Sequence, residues 1–339
     1  MTKTDIARQY RDKFGKSIAT KTLARKMAAD HPELFTDIES ARSSLRFIEG
    51  KHGKAMLPKK DTTYVLDLPR KWNPEPVESP ARVLILDIET APLQAFVWGI
   101  WNQNIATNQI QNDWYCLTWA AKWLFEDKVY SGKLTPAEAK RGDDKRIIRG
   151  IWQLINEADI VIAHNAEKFD RPRLNQRFII HGIEPPLPYI TIDTLKYIRK
   201  TFGFTSNKLD YVNQLLNLPR KTEHTGMPMW IKSMSGDAES LRLMEEYNVG
   251  DVRILEQTYL LIRPWIVPHP NMGLHILDGK THHCPTCGSD KLQDVGKAYH
   301  TGVNRYEQFR CGNCGATGRK RTAMDNVNKR RHLLAATAR

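Results

Sequence analysis

Two carboxylates stand two residues apart in Val83-Leu-Ile-Leu-Asp-Ile-Glu-Thr90, directly after a run of four apolar residues. On a strand, alternate side chains face the same way, so Asp87 and Glu89 project together. They fall at the carboxyl end of a strand that reads as buried, and open α/β sheets bind ligands at that end. Acids at a strand end also solvate turns, so the pair alone defines no site. The stretch from Asp159 to Asp170, DIVIAHNAEKFD, repeats the arrangement: a buried strand runs into Asn165, Phe169 and Asp170, with Arg171 and Arg173 beyond. Asp170 falls where the next helix begins and is also suited to capping it. A third element, Tyr247-Asn-Val-Gly-Asp251, lies in a long helical pattern. Residues four apart share a helix face, so Tyr247 and Asp251 point together, although for this element alone a solvated face beside Glu245 and Glu246 is the stronger reading.

Taken together, Asp87, Glu89, Asp170 and Asp251 imply more than each does alone. Four acids at one sheet end repel unless cations neutralise them, and hard oxygen donors suit Mg²⁺ or Mn²⁺. Two such ions side by side make a clamp for phosphodiester hydrolysis, one activating water and the other stabilising the leaving oxygen. Four of the five cysteines form a different constellation. Cys284-Pro-Thr-Cys287-Gly and Cys311-Gly-Asn-Cys314-Gly are two Cys-x-x-Cys-Gly pairs, 23 residues apart. Four thiolates suit tetrahedral Zn²⁺, and the glycines allow the tight turns that aim backbone N–H groups at sulfur. A closed four-thiolate site is structural. The fifth, Cys116, lies in an apolar strand and reads as core.

These residues must be held by elements that the hydrophobic pattern outlines. Strands are expected at Val83–Asp87, Trp114–Leu124, Lys128–Gly132, Asp159–Ala163 and Tyr189–Asp193. Helices are expected at Asp144–Glu157, Asp170–His181, Leu209–Leu216 and Ala238–Arg263. A meander followed by strand–helix alternation predicts an α/β fold: a mixed five-stranded sheet with helices on both faces. Ahead of it, three short helices are expected within residues 1–53, at Asp5–Phe14, at Thr20–Asp30 and after a Thr36–Glu39 capping box closed by Gly50. Residues 54–81, with five prolines, read as an extended linker. Five tryptophans, Trp98, Trp101, Trp114, Trp119 and Trp123, crowd one segment. Some can stack on the bases of a single strand, with core packing the expectation for most.

Charge follows the same division. Residues 1–80 carry 16 Lys/Arg against 11 Asp/Glu, and residues 279–339 carry 12 against 4, whereas 81–278 carry 23 of each. Basic flanks around a neutral body fit a polyanion such as nucleic acid. Arg319-Lys-Arg321 and Lys329-Arg-Arg331 fit phosphate contacts or a solvated tail equally well. No run of about 18 apolar residues occurs, so no membrane span is expected. The polar N-terminus lacks the apolar core of a signal peptide, and the expected location is the cytoplasm.

The ordered set Asp-x-Glu-Thr, Asn-x-x-x-Phe-Asp and Tyr-x-x-x-Asp resembles the DEDD superfamily of 3′→5′ exonucleases on the ribonuclease H-like fold, in its tyrosine-bearing branch (DEDDy). Thr205-Ser-Asn-Lys-Leu-Asp-Tyr-Val-Asn-Gln-Leu-Leu216, preceded by Ile192-Asp193-Thr194, is similar to the exonuclease domain of family B DNA polymerases. The resemblance covers residues 82–268. With no polymerase domain after it in this sequence, a stand-alone enzyme is expected, similar to those that bacteriophages encode; its place would then be the host cytoplasm.

The resemblance implies that Asp87 bridges two ions and that Glu89 and Asp251 hold the one activating water. It implies that Asp170 serves the second ion, directly or through water, and that Tyr247 orients the attacking water. Asn165 and Asp193 are outer candidates, and for Asp193 a structural hydrogen-bonding role is equally open. The organisation is then a helical, helix-turn-helix-like module at 1–53, the linker at 54–81, the exonuclease domain at 82–268, a zinc ribbon at 279–322 and a basic tail at 323–339. The helical module is expected to bind DNA or to serve packing and protein contacts. The expected function is two-metal hydrolysis of single-stranded DNA from 3′ ends. The alternatives are the same chemistry on RNA, or a silent nuclease scaffold that only binds nucleic acid. Replication or repair proteins are candidate protein partners, and no membrane is involved.

Overall fold

The structure is a computed structural model that describes residues 2–15, 18–49, 76, 81–219, 226–276, 279 and 281–335. The expected linker at 54–81 lies outside the described residues except for Pro76 and Ala81. The chain divides into two compact units, Met1–Val65 and Leu66–Arg339.

In the first unit, α1 (Lys3–Phe14), α2 (Thr20–Asp30) and α3 (Ile38–Ile48) close on Ile6, Leu23, Met27, Phe35 and Leu45. Thr2 and Asp5 form a capping box at the start of α1. The capping box expected at Thr36 and Glu39 does not form. Asp37 caps α3 instead, accepting from the Ser40 backbone N–H at 2.7 Å. A carboxylate is the stronger acceptor for the positive end of a helix and shifts the cap by one residue. Glu49 follows the last helical residue, and Gly50 lies outside the described residues.

The second unit is built on a five-stranded sheet in the order β5-β4-β1-β6-β7. Its strands are β1 (Val83–Thr90), β4 (Cys116–Trp123), β5 (Val129–Lys133), β6 (Ile160–Ala163) and β7 (Ile190–Asp193). A short ribbon, β2 (Gln94–Ala95) and β3 (Ile110–Asn112), leaves the sheet between β1 and β4. Strands β5, β4 and β1 run antiparallel, whereas β1, β6 and β7 run parallel. The expected mixed sheet is therefore the one observed. Strand β1 is central because VLIL is apolar on both faces. Leu84, Leu86 and Ile88 enter one core with Ile148, Ile151, Leu174 and Phe178. Val83 and Ile85 enter the other with Ile162, Ile192, Val252 and Leu255.

The helices are α4 (Pro136–Arg141), α5 (Lys145–Glu157), α6 (Asp170–Ile180), α7 (Thr194–Thr201), α8 (Leu209–Leu215), α9 (Met227–Met234) and α10 (Ala238–Ile262). Four of these, α4, α7, α8 and α9, are of eight residues or fewer, and of the four only α8 is among the helices expected from the sequence. Helix α10 joins both cores. Leu241 and Met244 belong to the first, and Val252, Leu255 and Tyr259 to the second. No helix among the described residues is long and apolar enough to cross a membrane.

Asp144 stands just before α5 but makes no side-chain cap. It is fully buried, where it accepts from the Cys116 backbone N–H at 2.8 Å and meets Arg177 and His181, each at 2.5 Å. This pins α6 against β4. Among the tryptophans, Trp119 and Trp123 are core, as expected. Core packing fails for Trp98 and Trp101, which are exposed on the ribbon, because that segment leaves the sheet before it can be covered.

After α10 a three-stranded antiparallel sheet forms, β8 (Leu292–His300), β9 (Arg305–Cys311) and β10 (Thr317–Ala323). Strands β8 and β9 form a hairpin, with Tyr299 opposite Tyr306, to which β10 adds a third strand. The basic tail folds into α11 (Val327–Arg331), with Asp325 holding Arg305 and Lys329.

The Asp144 network yields a test. Asp144→Ala leaves the Arg177 guanidinium buried without its carboxylate, and breaking such a pair costs about 3–5 kcal/mol. Urea denaturation should show that loss; a change under about 1 kcal/mol would mean that the pair does not hold α6.

Candidate active site

Three carboxylates converge at the end of β1. One oxygen from each of Asp87, Glu89 and Asp251 lies within 4.8 Å of the others. The local sequence explains this. Asp87 and Glu89 continue the Val83/Ile85 face of β1, and the only irregularity in its pairing with β4 comes after Glu89. That face meets α10 at its passage from one core to the other, which is where Tyr247, Asn248 and Asp251 lie buried. Tyr247 is one turn from Asp251, as the helical spacing predicts.

Asp170 is the first residue of α6 and is 2 % exposed. Its capping reading is corrected: Phe169 occupies the N-cap, and neither oxygen of Asp170 has a hydrogen-bond partner in the structure. Burial, and then the charge of Asp87, push its carboxyl well above the ordinary carboxylate range. The backbone amides of Ile88 and of Asp170 itself offset part of this without hydrogen-bond geometry. Asp170 is not among the three acids that converge within 4.8 Å, but it is electrostatically coupled to them through Asp87.

Asn165 and Asp193 lie in a separate network at the root of α6. The Asp193 carboxylate accepts from the backbone N–H groups of Asn165 at 3.0 Å, Glu167 at 3.1 Å and Lys196 at 3.3 Å. It thereby holds the β6–α6 loop, in which Asn165 takes a φ of 78°, and caps α7. Sequence reasoning missed Asn248. Its side-chain amide donates to Asp87 Oδ2 at 2.5 Å, and the residue is fully buried. The available signal was its place three residues before Asp251, hence on the same helix face.

The residues fit divalent metal. The donors are hard oxygens, and two buried oxygens of Asp170 are unsatisfied where a cation would meet them. The four cysteines fit zinc. Sγ–Sγ separations are 3.7 Å for Cys284 and Cys314 and 3.6 Å for Cys287 and Cys311, and all four sulfurs lie within 4.8 Å. Tetrahedral Zn–S bonds of about 2.3 Å place sulfurs roughly 3.8 Å apart. Gly288 at φ 82° and Gly315 at φ 79° make the turns that follow each pair, a conformation other residues adopt only with strain.

Residues 123–262 match the family model of the RNase_H superfamily. The match begins on β4, so it takes in Asp170, Asp193, Tyr247 and Asp251 and leaves β1 outside. The mixed five-stranded sheet with its helices is thus ribonuclease H-like, and the C-terminal cysteines fit a zinc ribbon. Among solved structures 117 chains match. One is the family B DNA polymerase from the hyperthermophilic archaeon Pyrobaculum calidifontis, at 18% identity and a TM-score of 0.40, over 56% of this chain and 26% of the polymerase. The chain therefore spans about a quarter of that protein's length. No curated protein compared with the chain matches it.

Two measurements follow from these sites. Metal analysis of the purified chain should give one zinc per molecule, and Cys311→Ser should lower it; unchanged zinc in that variant would reject the four-cysteine site. Asp170 gives a pH dependence. Its native carboxyl holds a proton more tightly than the unfolded chain does, so its contribution to stability is complete below the unfolded pKa of about 3.9 and is lost as pH rises through the native value. Free of divalent metal at the acid cluster, Asp170→Asn should melt at higher temperature than the parent near pH 7.5, with the gain shrinking toward pH 4. A gain independent of pH would exclude this cause.

Proposed function

We propose that the chain is a divalent-metal-dependent 3′→5′ exonuclease acting on single-stranded DNA ends. The observation that supports it best is the meeting of Asp87, Glu89 and Asp251 within 4.8 Å, beside buried Asp170 and with Tyr247 one turn away on the same helix. Asp87, Glu89 and Asp251 would hold one ion, and Asp87 with Asp170 a second, each Mg²⁺ or Mn²⁺. When bound, such ions neutralise charge on the reacting phosphodiester and lower the pKa of water.

The protein's own groups do the rest. Asn248 fixes one oxygen of Asp87 by its amide hydrogen bond, leaving the other lone pairs for ligation. The Tyr247 phenol would hydrogen-bond the attacking water and aim it at phosphorus. Asp193 and Asn165 keep the β6–α6 loop, and with it Asp170, in position. The closed zinc ribbon has no open coordination position and takes no part in the chemistry.

The test uses single-stranded DNA and RNA of one sequence, labelled at the 5′ end. With Mg²⁺ a ladder should shorten from the 3′ end, faster on DNA. Asp87→Ala should slow it by at least about a thousandfold, the scale of several kcal/mol of transition-state stabilisation. Tyr247→Phe should cost about a hundredfold. Faster RNA degradation would move the substrate to RNA. No Mg²⁺-dependent shortening of either strand would leave a protein that binds nucleic acid without cutting it.

A further inference from the structure

The loop joining β2 to β3 carries four strongly exposed apolar side chains. Phe96 is 68%, Trp98 97%, Ile100 86% and Trp101 80% exposed. Isolated exposed apolar residues are ordinary, but a contiguous group of this size marks a binding surface. The loop is built, not merely uncovered. Gln94 pairs with Asn112 and Ala95 with Ile110. Asn112 Nδ2 donates to Gln94 Oε1 at 2.6 Å. Gln109 ties both sides together, donating to the Phe96 carbonyl at 2.9 Å and accepting from the Ala106 backbone N–H at 2.8 Å. These bonds use backbone and amide groups and leave the rings outward.

Three features identify the occupant. First, the ribbon is the direct continuation of the strand that bears Asp87 and Glu89, rooted by the Ala91 N–H on the Tyr115 carbonyl at 2.8 Å. Second, residues 91–112 contain no Asp, Glu, Lys, Arg or His, but eight Asn or Gln. Flat rings with amides suit the faces and edges of bases and carry no positive charge for phosphates. Third, a groove of about 580 Å³ at the ribbon's root adds the ring of Trp114 and the exposed cations Lys140 and Arg141, which suit the backbone the ribbon cannot hold.

We propose that residues 96–105 are an aromatic finger that stacks on the bases of a single strand, while Lys140 and Arg141 take its phosphates. The inference rests on the nuclease reading for its substrate class, but its test needs no cleavage.

Binding is measured on the full-length chain carrying Asp87→Ala, without added Mg²⁺ or Mn²⁺. The probes are a fluorescein-labelled single-stranded DNA and the same strand made abasic over its 3′-terminal six nucleotides. The double substitution Trp98→Ala/Trp101→Ala should weaken binding to the base-bearing strand roughly tenfold or more, as expected for lost stacking. It should leave binding to the abasic strand and the salt dependence of affinity unchanged. Trp98→Phe/Trp101→Phe keeps the rings and should bind nearly as the parent does. If the alanine pair does not fold, the parent's preference for the base-bearing over the abasic strand decides instead.

Equal binding of both strands by the parent overturns the proposal, as does unchanged affinity in the alanine pair. An alanine pair that binds normally but shifts from dimer to monomer in sedimentation would assign the finger to a protein partner. A chain that binds through these rings but never cuts would keep this proposal and reject the exonuclease.

Discussion

Mutual repulsion of carboxylates is the constraint around which the central domain is arranged. Two unit charges 4 Å apart repel by roughly 4 kcal/mol at an effective dielectric of 20, and Asp87, Glu89 and Asp251 lie within 4.8 Å of one another. Burial, and then the charge of Asp87, raise the pKa of Asp170 alongside. Such a group persists only where the surrounding backbone cannot relax. The sheet provides that rigidity, because β1 pairs with β4 along the acids themselves and with β6 through Val83–Ile85 just before them. Its apolar residues anchor it in two cores, and the acids follow where the cores end.

The other acids are held by different means. Asp251 comes from α10, whose length lets it serve both cores and cross the end of β1 between them. Asn248, on that crossing, ties the helix to Asp87 directly. Asp170 depends on α6, which is fixed twice: at its start by the Asp193 bonds to the preceding loop, and farther along by Arg177 and His181 on Asp144. Buried polar groups thus orient the elements that carry the acids, and Asp193 does so through the backbone N–H groups it holds.

The ribbon and the cysteine cluster show the same economy. Each grows from a short segment that cannot bury a core of its own, so each is held by specific bonds: amide pairs in the ribbon, and four sulfurs at metal-binding distance in the C-terminal sheet. There Arg319 stacks on Tyr306 at 3.9 Å, leaving a ring and a cation together on the sheet's face.

The mixed sheet, the clustering of Asp87, Glu89 and Asp251 and that of the four cysteines were legible in the residues alone. Those signals are local: an apolar run, a spacing of two on a strand, of four on a helix, and two Cys-x-x-Cys pairs, each of which survives whatever the rest of the chain does. The tertiary structure settles that Asn248 holds Asp87, that Asp193 bonds backbone while its charge also reaches Asp170, that Asp37 and not Thr36 caps α3, and that Asp144 grips Arg177 and His181. It also decided that Trp98 and Trp101 lie in solvent while Trp119 and Trp123 are buried. The physical reason is common to all of these. A polar or aromatic side chain has the same local pattern whether it is satisfied by solvent, by its own turn or by a residue far along the chain. Which partner it finds depends on where the sheet ends and what packs across it.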